Sequence, residues 1–406
     1  MPADRHDVAV VGAGIVGLAV AREVLARRPG ARVLVIDSQP AVARQQTGHN
    51  SGVIHAGVYY APGSLKARLC VAGARLMYEY CAQNGVPVER CGKLIVAISD
   101  DELPRLAALE KRARANGVPD LRRVDAAQIT EIEPECQGVA ALHSPATGIV
   151  DFAAVARAIE RELREAGVTF ALGCEVTAIR RERDATVLAH ADGEHLADWA
   201  IACAGLYSDR LATSAGAPAD PRVIPFRGAY LRIPADQPSI VRGLVYPVPD
   251  PALPFLGVHV TRHIDGGVLL GPTALLVPRR DGYRDELARG AALRDAVSTL
   301  TWPGTWAVAR RFWRTGLSEI AMAASRRRFI AKCTRYVPAL ESAVIDPKPI
   351  FGIRAQAVSR TGQLADDFTI SATPGAIHVR NAPSPAATSS FALAKEIVDR
   401  FQAASS

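Results

Sequence analysis

Three glycines near the beginning of the sequence have the spacing of a nucleotide-binding turn. Gly12, Gly14 and Gly17 follow the apolar run VAVV and open a predicted helix. The first glycine permits a tight turn, the second lets a pyrophosphate approach the backbone, and the third lets the helix pack against the strand. The helix N-terminus would bind the phosphates. Asp37, at the end of the next predicted strand, would accept hydrogen bonds from ribose hydroxyls, so the pattern predicts a dinucleotide site.

A second turn, near the end of the sequence, favours FAD as the dinucleotide. The glycine pattern occurs once, whereas flavin reductases that also use a nicotinamide usually carry it twice. In HVRNAPSPAATSS a predicted strand ends at Asn381, and small residues lead into a helix that starts near Ala386. The N-terminus of this helix could stabilise the negative charge of a reduced flavin ring. The alternative is an ordinary capped helix at the end of the chain.

The periodicity of apolar residues predicts the elements that must hold these two turns. Around the glycines it predicts a βαβ unit, with strands at 7–11 and 32–37 and a helix at 15–26. Later elements alternate between helical and strand patterns. In chain order they are a helix over 151–165 capped by Asp151, strands within 168–187, a strand over 199–204 that enters a helix, antiparallel strands within 221–277, helices within 285–337, and a strand and helix within 375–402.

These elements predict an α/β fold with two discontinuous domains. The first is a Rossmann-like FAD-binding domain assembled from residues 1–90, 143–217 and 345–406. An α+β substrate-binding domain with an antiparallel sheet is inserted within it, at 91–142 and 218–344. The sequence shows no internal repeat and no low-complexity linker, so insertion is expected rather than a tether.

The composition favours a soluble globular protein. The 406 residues are 49% hydrophobic and 22% charged. The first predicted strand starts at about residue 7, so we expect no secretory signal and a cytoplasmic protein. No run of about 18 uncharged apolar residues predicts a membrane-spanning helix. Seven cysteines without a C-x-x-C pair or zinc-type histidine spacing predict free thiols and no metal site.

Several longer segments resemble the L-2-hydroxyglutarate dehydrogenases or oxidases, within the superfamily of D-amino-acid-oxidase-like flavoproteins. The segments are HNSGVIHAGVYYAPGSLKA (49–67), AGLYSDRLA (204–212), PFRGAY (225–230), VYPVPDPALPFLGVHVTR (245–262), FGIRAQ (351–356) and NAPSPAATSS (381–390). The resemblance covers nearly the whole chain, and the first, fourth and last segments are specific to that family. Ala229, Leu231 and Thr273 depart from the family pattern in the predicted substrate domain.

The resemblance implies oxidation of L-2-hydroxyglutarate to 2-oxoglutarate, with a hydride passing from Cα to flavin N5. A base must remove the hydroxyl proton, and a histidine suits this task near neutral pH. His55 and His259 are the expected bases because both lie in family-like segments. A dicarboxylate needs cations and hydroxyl donors, and Arg354 is expected to hold its α-carboxylate over the flavin. The further expected substrate-binding residues are Tyr230, Arg227, Tyr60 and Lys66.

The resemblance also implies a set of contacts with FAD. We expect noncovalent binding, because no residue is singled out for attachment. The contacts come mainly from the two turns and from the segment that begins at residue 49. The expected cofactor-binding residues are Gly12, Gly14, Gly17, Asp37, Ser51, Gly52, Val176, Gly205, Arg354, Pro385, Ala386 and Thr388.

The electron acceptor is expected to be a quinone or oxygen. Segment 302–336 combines three tryptophans with many arginines, and Glu319 is its acidic residue. Basic, aromatic, amphipathic helices of this kind can lie on an anionic membrane surface, near a quinone pool. The other interpretation is a solvated basic face over a buried aromatic stripe. No nucleic-acid partner is expected, because no recognised motif accompanies the charge.

Two other functions stay open on the sequence alone. One is an FAD-dependent amine or amino-acid oxidase of the same fold, which would keep its activity without His55 and His259. The other is a flavin-binding protein without turnover, whose flavin would not be reduced by any candidate substrate.

Overall fold

The computed structural model describes residues 5–237, 239–251, 253, 255–280, 282–283 and 291–405. Within them the strands are β1 (Arg5–Val11), β2 (Val33–Asp37), β3 (Val53–Ile54), β4 (Val88–Glu89), β5 (Lys93–Ala97), β6 (Arg122–Asp125), β7 (Ala140–Ser144), β8 (Gly148–Val150), β9 (Thr169–Leu172), β10 (Ala178–Glu182), β11 (Ala185–His190), β12 (Gly193–Ala202), β13 (Arg222–Ile233), β14 (Leu244–Pro247), β15 (His259–Arg262), β16 (Val268–Gly271), β17 (Leu275–Leu276), β18 (Ile350–Val358), β19 (Thr369–Thr373) and β20 (Ala376–Asn381). The α-helices are α1 (Ile15–Arg27), α2 (Leu65–Gln83), α3 (Leu103–Ala115), α4 (Ala126–Ile132), α5 (Phe152–Glu165), α6 (Ser208–Ser214), α7 (Ala291–Leu300), α8 (Pro303–Arg311), α9 (Trp313–Ala324), α10 (Arg326–Cys333) and α11 (Ala386–Ser405).

The first sheet contains the glycine turn. Its strand order is β10-β11-β12-β1-β2-β9, and β20 pairs with both β12 and β19. The central strand β1 pairs in parallel with β2 and β12, and residues 8–11 are buried, as expected for the middle of a parallel sheet. Helices α1, α2, α5 and α11 share one apolar core with this sheet. The predicted βαβ unit and Rossmann-like arrangement are confirmed.

The second sheet contains the predicted substrate strands. Its order is β17-β13-β16-β15-β14-β5-β7-β6, with β18 also paired to β13. Neighbouring strands are antiparallel except for β14 and β5, which run parallel. β5 comes from the earlier insertion, so no hairpin fixes its direction relative to β14. β18 belongs to the predicted third FAD-binding stretch, yet its whole length pairs with β13. The exact domain boundaries stay a prediction.

The helical segment before β18 is interrupted several times. The predicted helical range 285–337 contains α7 to α10, and residues 285–290 lie outside the described residues. Pro303 occupies the first turn of α8, where its missing N–H costs nothing. The Ser325 hydroxyl accepts a hydrogen bond from the Arg328 N–H at the start of α10. No helix in the described part of the chain is long and apolar enough to cross a membrane.

A small third sheet positions the segment that contains His55. β3 and β4 each pair antiparallel with β8. Directly after β8, the Asp151 carboxylate accepts a hydrogen bond from the Ala153 N–H at 2.8 Å, which confirms the predicted cap of α5. The Thr388 hydroxyl, in the first turn of α11, donates to the Val53 carbonyl at 3.2 Å and accepts from the His55 N–H at 3.1 Å. These bonds fix β3 to the start of α11.

Candidate active site

One cavity of about 850 Å³ connects the glycine turn with the second sheet. Its walls come from the turn before α1, the loop after β2, the start of α11 and residues of β13, β15 and β18. Most of the residues predicted from the sequence line it. They are Gly12, Gly14, Gly17, Asp37, Ser51, His55, Tyr60, Lys66, Gly205, Tyr230, His259, Arg354, Pro385, Ala386 and Thr388. The structure therefore brings both predicted turns and both candidate bases to one cavity.

The glycine turn leaves no room for side chains. A β-carbon built on Gly12 would lie 2.4 Å from the Cys203 carbonyl oxygen, and one built on Gly17 would lie 1.9 Å from the Gly12 carbonyl oxygen. Gly12 also has a φ of +112°, which other residues rarely adopt. The Ala13 N–H donates to Asp37 Oδ2 at 2.6 Å, so this carboxylate holds the turn. Burial raises the pKa of Asp37, and hydrogen bonds from backbone N–H groups oppose the shift.

The cavity has the features that FAD requires. The N-termini of α1 and α11 both line it, and such ends present backbone N–H groups to phosphate or to a reduced ring. Asp37 keeps acceptor capacity beyond its bonds from Ala13 and Gln39. α2 approaches α11 so closely that a β-carbon on Gly73 would lie 2.6 Å from the Thr388 carbonyl oxygen. The residues present therefore fit the predicted cofactor.

His55 and His259 line the cavity in the neutral form. Burial lowers the pKa of His259 to about 3, and the charges of Lys93 and Arg354 act in the same direction. Burial also lowers the pKa of His55 well below its ordinary value, with further contributions from Lys93 and His259. Nδ1 of His259 lies 2.8 Å from the Gly257 carbonyl oxygen. Because that oxygen can only accept, Nδ1 carries the proton and Nε2 of His259 is the basic nitrogen.

Arg354 is the strongest candidate for a carboxylate-binding residue. Its guanidinium lies 5.2 Å from the centre of the Phe255 ring, and no carboxylate of the described residues forms an ion pair with it. Lys66 differs, because its Nζ donates to Asp366 Oδ1 at 3.1 Å. The Tyr230 hydroxyl forms a hydrogen bond with Ser51, and burial raises its pKa. Of the two predicted cations that line the cavity, Arg354 is therefore the one whose charge is not paired.

Three predicted site residues do not line the cavity. Gly228 and Tyr230 on β13 face it, and because side chains alternate along a strand, Arg227 points to the other side. Its guanidinium lies 4.5 Å from the centre of the Phe351 ring. Gly52 is held in the small sheet, where its carbonyl accepts from the Val150 N–H, and Val176 is buried in the core of the first sheet. A role for these three residues in binding stays a prediction.

Two tyrosines in the cavity wall near His259, and a lysine behind them, were not selected from the sequence. Tyr246 stacks on His259 with 3.9 Å between ring centres. Tyr59 and Tyr246 line the cavity, and Nζ of Lys93 lies behind them, 4.2 Å from the centre of the Tyr246 ring. A lysine in the otherwise apolar strand KLIVA was the available signal for Lys93. Both tyrosines lie in family-like segments of the sequence.

The departures from the family pattern lie outside the cavity lining. The Ala229 N–H donates to the hydroxyl of the buried Thr273 at 3.0 Å. Leu231 pairs with Leu270 within the second sheet. These residues therefore contact neighbouring parts of the second sheet and do not line the cavity.

Cys174, His190 and His195 lie close together outside the cavity lining. Their sulfur and imidazole nitrogen atoms are within 4.8 Å of one another, and the two imidazole rings stack with 5.0 Å between centres. No metal site was predicted, because these residues have no zinc-type spacing in the sequence. The β11–β12 hairpin brings the histidines together, and the segment after β9 adds the cysteine. Thiolate and imidazole groups are ligands for soft cations such as Zn²⁺.

The chain belongs to the FAD dependent oxidoreductase family, whose model matches residues 7–400. This membership confirms the predicted flavoprotein fold and the FAD cofactor. The glycine turn, Asp37 and the N-terminus of α11 line one cavity, and their contact with the cofactor stays a prediction.

Curated proteins similar to this chain include L-2-hydroxyglutarate dehydrogenases. The chain is 43% identical to the mitochondrial L-2-hydroxyglutarate dehydrogenase of Nematostella vectensis, over 98% of this chain and 91% of that protein. It is 41% identical to the mitochondrial enzyme of the same name from Homo sapiens, over 98% and 88%. The fold matches L-alpha-glycerophosphate oxidase from Mycoplasma pneumoniae, solved with FAD bound, with a TM-score of 0.78, 23% identity and coverage of 98% and 95%. The predicted resemblance is confirmed.

Proposed function

We propose that the protein oxidises L-2-hydroxyglutarate to 2-oxoglutarate as an FAD-dependent dehydrogenase or oxidase. The observation that carries the proposal is the cavity in which Arg354, His55 and His259 meet the glycine turn. The Arg354 guanidinium forms no ion pair within 4 Å with a carboxylate of the described residues, although its charge acts on the more distant Glu319. Its N–H groups can therefore bind an α-carboxylate through two hydrogen bonds. The names of the similar curated proteins support the same substrate.

The residues of the chain supply binding and proton transfer, while bound FAD supplies the hydride acceptor. Nε2 of His259 can accept the hydroxyl proton, because its Nδ1 proton is directed at Gly257. His55 is the second candidate for this base. The lowered pKa of each histidine keeps it neutral before substrate binds. A dianionic substrate raises these pKa values toward neutrality, which strengthens either histidine as a base.

Anaerobic titration of the FAD-loaded protein tests the substrate. L-2-Hydroxyglutarate should bleach the flavin band at about 450 nm, whereas D-2-hydroxyglutarate, L-lactate, glycerol 3-phosphate and glycine should not. Arg354→Met should raise the KM for L-2-hydroxyglutarate by about 100-fold, because a charged hydrogen-bond pair is lost. Bleaching by an amine instead would contradict the substrate and favour an amine oxidase of this fold. A flavin that no candidate reduces would favour a flavin-binding protein without turnover.

We also propose that the electrons pass to a quinone at an anionic membrane surface, with oxygen as the alternative acceptor. Exposed apolar side chains occur on α7, α8 and α9, and on α7 and α9 they follow i, i+4, i+7 spacing along one helix face. These residues are Leu293, Val297, Leu300, Trp306, Trp313, Leu317 and Ile320. Trp302, by contrast, is buried in the core. Glu319 accepts a hydrogen bond from the Ala274 N–H, so its charge is directed inward and the exposed arginines dominate outside.

Co-sedimentation with lipid vesicles tests the membrane contact. The double variant Leu317→Ser, Ile320→Ser should bind vesicles containing phosphatidylglycerol about 10-fold more weakly than the wild type, because buried apolar area is lost. Its reduction of a water-soluble quinone should not change. Val344→Ser, which alters an exposed apolar side chain outside these helices, is the matched control. A wild-type protein that does not sediment with anionic vesicles would favour oxygen as the acceptor.

A further inference from the structure

Lys93 is a buried cation with no anionic partner in the part of the chain that the structure describes. It lies on β5, is 2% exposed, and forms no ion pair with any carboxylate of the described residues. The ionisable groups that act on its charge are the thiols of Cys70 on α2 and Cys91 before β5. Burial raises the pKa of each thiol to about 12, so both are uncharged near neutral pH. The described residues therefore leave the charge of this lysine without a carboxylate partner.

Two aromatic rings separate Lys93 from the cavity. Its Nζ lies 4.2 Å from the centre of the Tyr246 ring and 5.4 Å from that of Tyr59. The Tyr59 hydroxyl is buried and has no hydrogen-bond partner among the described residues. The Tyr246 hydroxyl is 3.5 Å from the Thr261 hydroxyl, at the limit of a hydrogen bond. Beyond the rings lie His55 and the stacked ring of His259, and both are neutral.

The other cations near the cavity have different partners or positions. Lys66 pairs with Asp366, and Arg227 does not line the cavity. Arg380 donates to the carbonyls of Pro218 and Pro221. Arg44 and Arg112 line the cavity but are exposed to solvent, which screens their charge. Arg354 binds the first carboxylate, the α-carboxylate, of the proposed substrate. A second carboxylate therefore requires positive potential elsewhere in the wall, and Lys93 supplies it beside two tyrosine hydroxyls.

We propose that Tyr59, Tyr246 and Lys93 form the subsite for the second carboxylate of the substrate, with Lys93 as a positioning residue behind the aromatic wall. The inference rests on the proposed dicarboxylate substrate and extends it to residues that set specificity. The tyrosine hydroxyls donate to the carboxylate. Lys93 does not touch the substrate but attracts its negative charge across the rings, where the low dielectric strengthens the interaction.

Binding at this subsite is coupled to a proton. Burial lowers the pKa of Lys93 to about 7, so near neutral pH part of the protein carries a neutral amine. A carboxylate beside the tyrosines raises that pKa, and the protein takes up a proton as the ligand binds. Affinity for a dicarboxylate should therefore fall as the pH rises above about 7.

Lys93→Met tests the subsite in FAD-loaded protein. The probes are 2-oxoglutarate and its 5-amide, which have the same length but differ in the second carboxylate. The variant should bind 2-oxoglutarate about 30-fold more weakly and the amide less than about 3-fold more weakly. Calorimetry in buffers of different ionisation enthalpy should show that the proton uptake has been lost. Lys93→Arg should restore binding of 2-oxoglutarate without the pH dependence, because arginine stays charged.

Lys111→Met, on the exposed face of α3, is the matched control and should bind both probes like the wild type. Equal weakening of both probes by Lys93→Met would assign this lysine a structural role, and unchanged binding of both would remove it from the subsite. Either result overturns the inference. A wild-type protein that neither binds 2-oxoglutarate nor oxidises L-2-hydroxyglutarate would instead overturn the proposed function.

The methionine variant is expected to fold, because it replaces a buried charge with an apolar side chain of similar length. The unfolded chain binds more protons at this position between the folded pKa of about 7 and the ordinary value of about 10.4. Wild-type stability therefore rises with pH across that window. Lys93→Met should have the higher Tm at about pH 6, and its advantage should shrink toward about pH 10.

Discussion

The two ends of the cavity are built in different ways. The dinucleotide end uses backbone: close-packed glycines, two helix N-termini and one carboxylate that holds the turn through the Ala13 N–H. The substrate end uses buried ionisable side chains, and these come from separate strands of the second sheet and from the segment after β3. They include His55, Lys93, Tyr246, His259 and Arg354. Variants should therefore act by steric exclusion at the first end and by electrostatics at the second.

The two ends of the cavity should also differ in how strongly they respond to pH and to the charge of a ligand. At the dinucleotide end burial raises the pKa of Asp37, and hydrogen bonds from backbone N–H groups oppose the shift. At the substrate end burial shifts the pKa of three neighbouring groups, His55, Lys93 and His259, away from their ordinary values. Groups with shifted pKa values make a site sensitive to pH and to the charge of its ligand. The substrate end is thus the part of the cavity whose properties should change when a dianion binds.

The largest expected effect comes from steric exclusion at the dinucleotide end. Gly17→Ala places a methyl group where the Gly12 carbonyl oxygen lies 1.9 Å away, so the turn must move and FAD affinity should fall by more than about 100-fold. The flavin that remains after gel filtration measures this. Gly316→Ala, in α9, meets no atom within 4 Å and should keep its FAD. Wild-type FAD content in Gly17→Ala would contradict the steric account.

An intermediate effect is expected from removing both candidate bases. The double variant His55→Gln, His259→Gln should lower kcat by about 100- to 10,000-fold, since no neutral imidazole is left to take the hydroxyl proton. Its FAD content should match that of the wild type, because neither side chain belongs to the glycine turn or to α11. His263→Gln, outside the cavity lining, is the control. Retained turnover in the double variant would point to chemistry that needs no base, as in amine oxidation.

The smallest effect concerns stability in acid. Burial lowers the pKa of His143 on β7 to about 4 and that of His259 to about 3, whereas an unfolded chain titrates histidine at about 6.5. The unfolded state then binds more protons below about pH 6.5. Stability is full above that pH and falls toward the folded pKa, by at most about 1.4 kcal/mol per pH unit for each histidine.

Urea unfolding measured between about pH 7 and pH 5 checks this slope. His143→Gln should make the slope smaller by the contribution of one histidine, while Val344→Ser, which changes an exposed side chain that carries no ionisable group, should not. If His143→Gln leaves the slope unchanged, this histidine is not kept neutral by the fold.

The sequence predicted correctly those structural features that depend on residues close together along the chain. The glycine spacing and the Asp151 cap act within a few residues, and the strand that ends at Asp37 belongs to the same βαβ unit as the glycines. The structure has all three as predicted. Helical structure was predicted within 285–337, but the breaks between helices near Trp302 and Ser325 were not.

The substrate wall could not be predicted because strand pairing assembles it. Tyr246 reaches His259 through β14 and β15, and Lys93 arrives from a separate insertion through the parallel pairing of β5 with β14. Arg227 was selected on residue type, yet the alternation of side chains along β13 turns it away from the cavity. A strand prediction without its register does not decide which face a side chain occupies.

The hydrogen bond between the Thr388 hydroxyl and the His55 N–H joins residues 333 positions apart. A ribosome makes the glycine turn and His55 long before α11, and contacts of such separation form only once both partners have left the exit tunnel. During translation the dinucleotide end therefore lacks its α11 wall. Enclosure of FAD is a late event in biosynthesis, and a nascent chain that stops before residue 388 should emerge without tightly bound flavin.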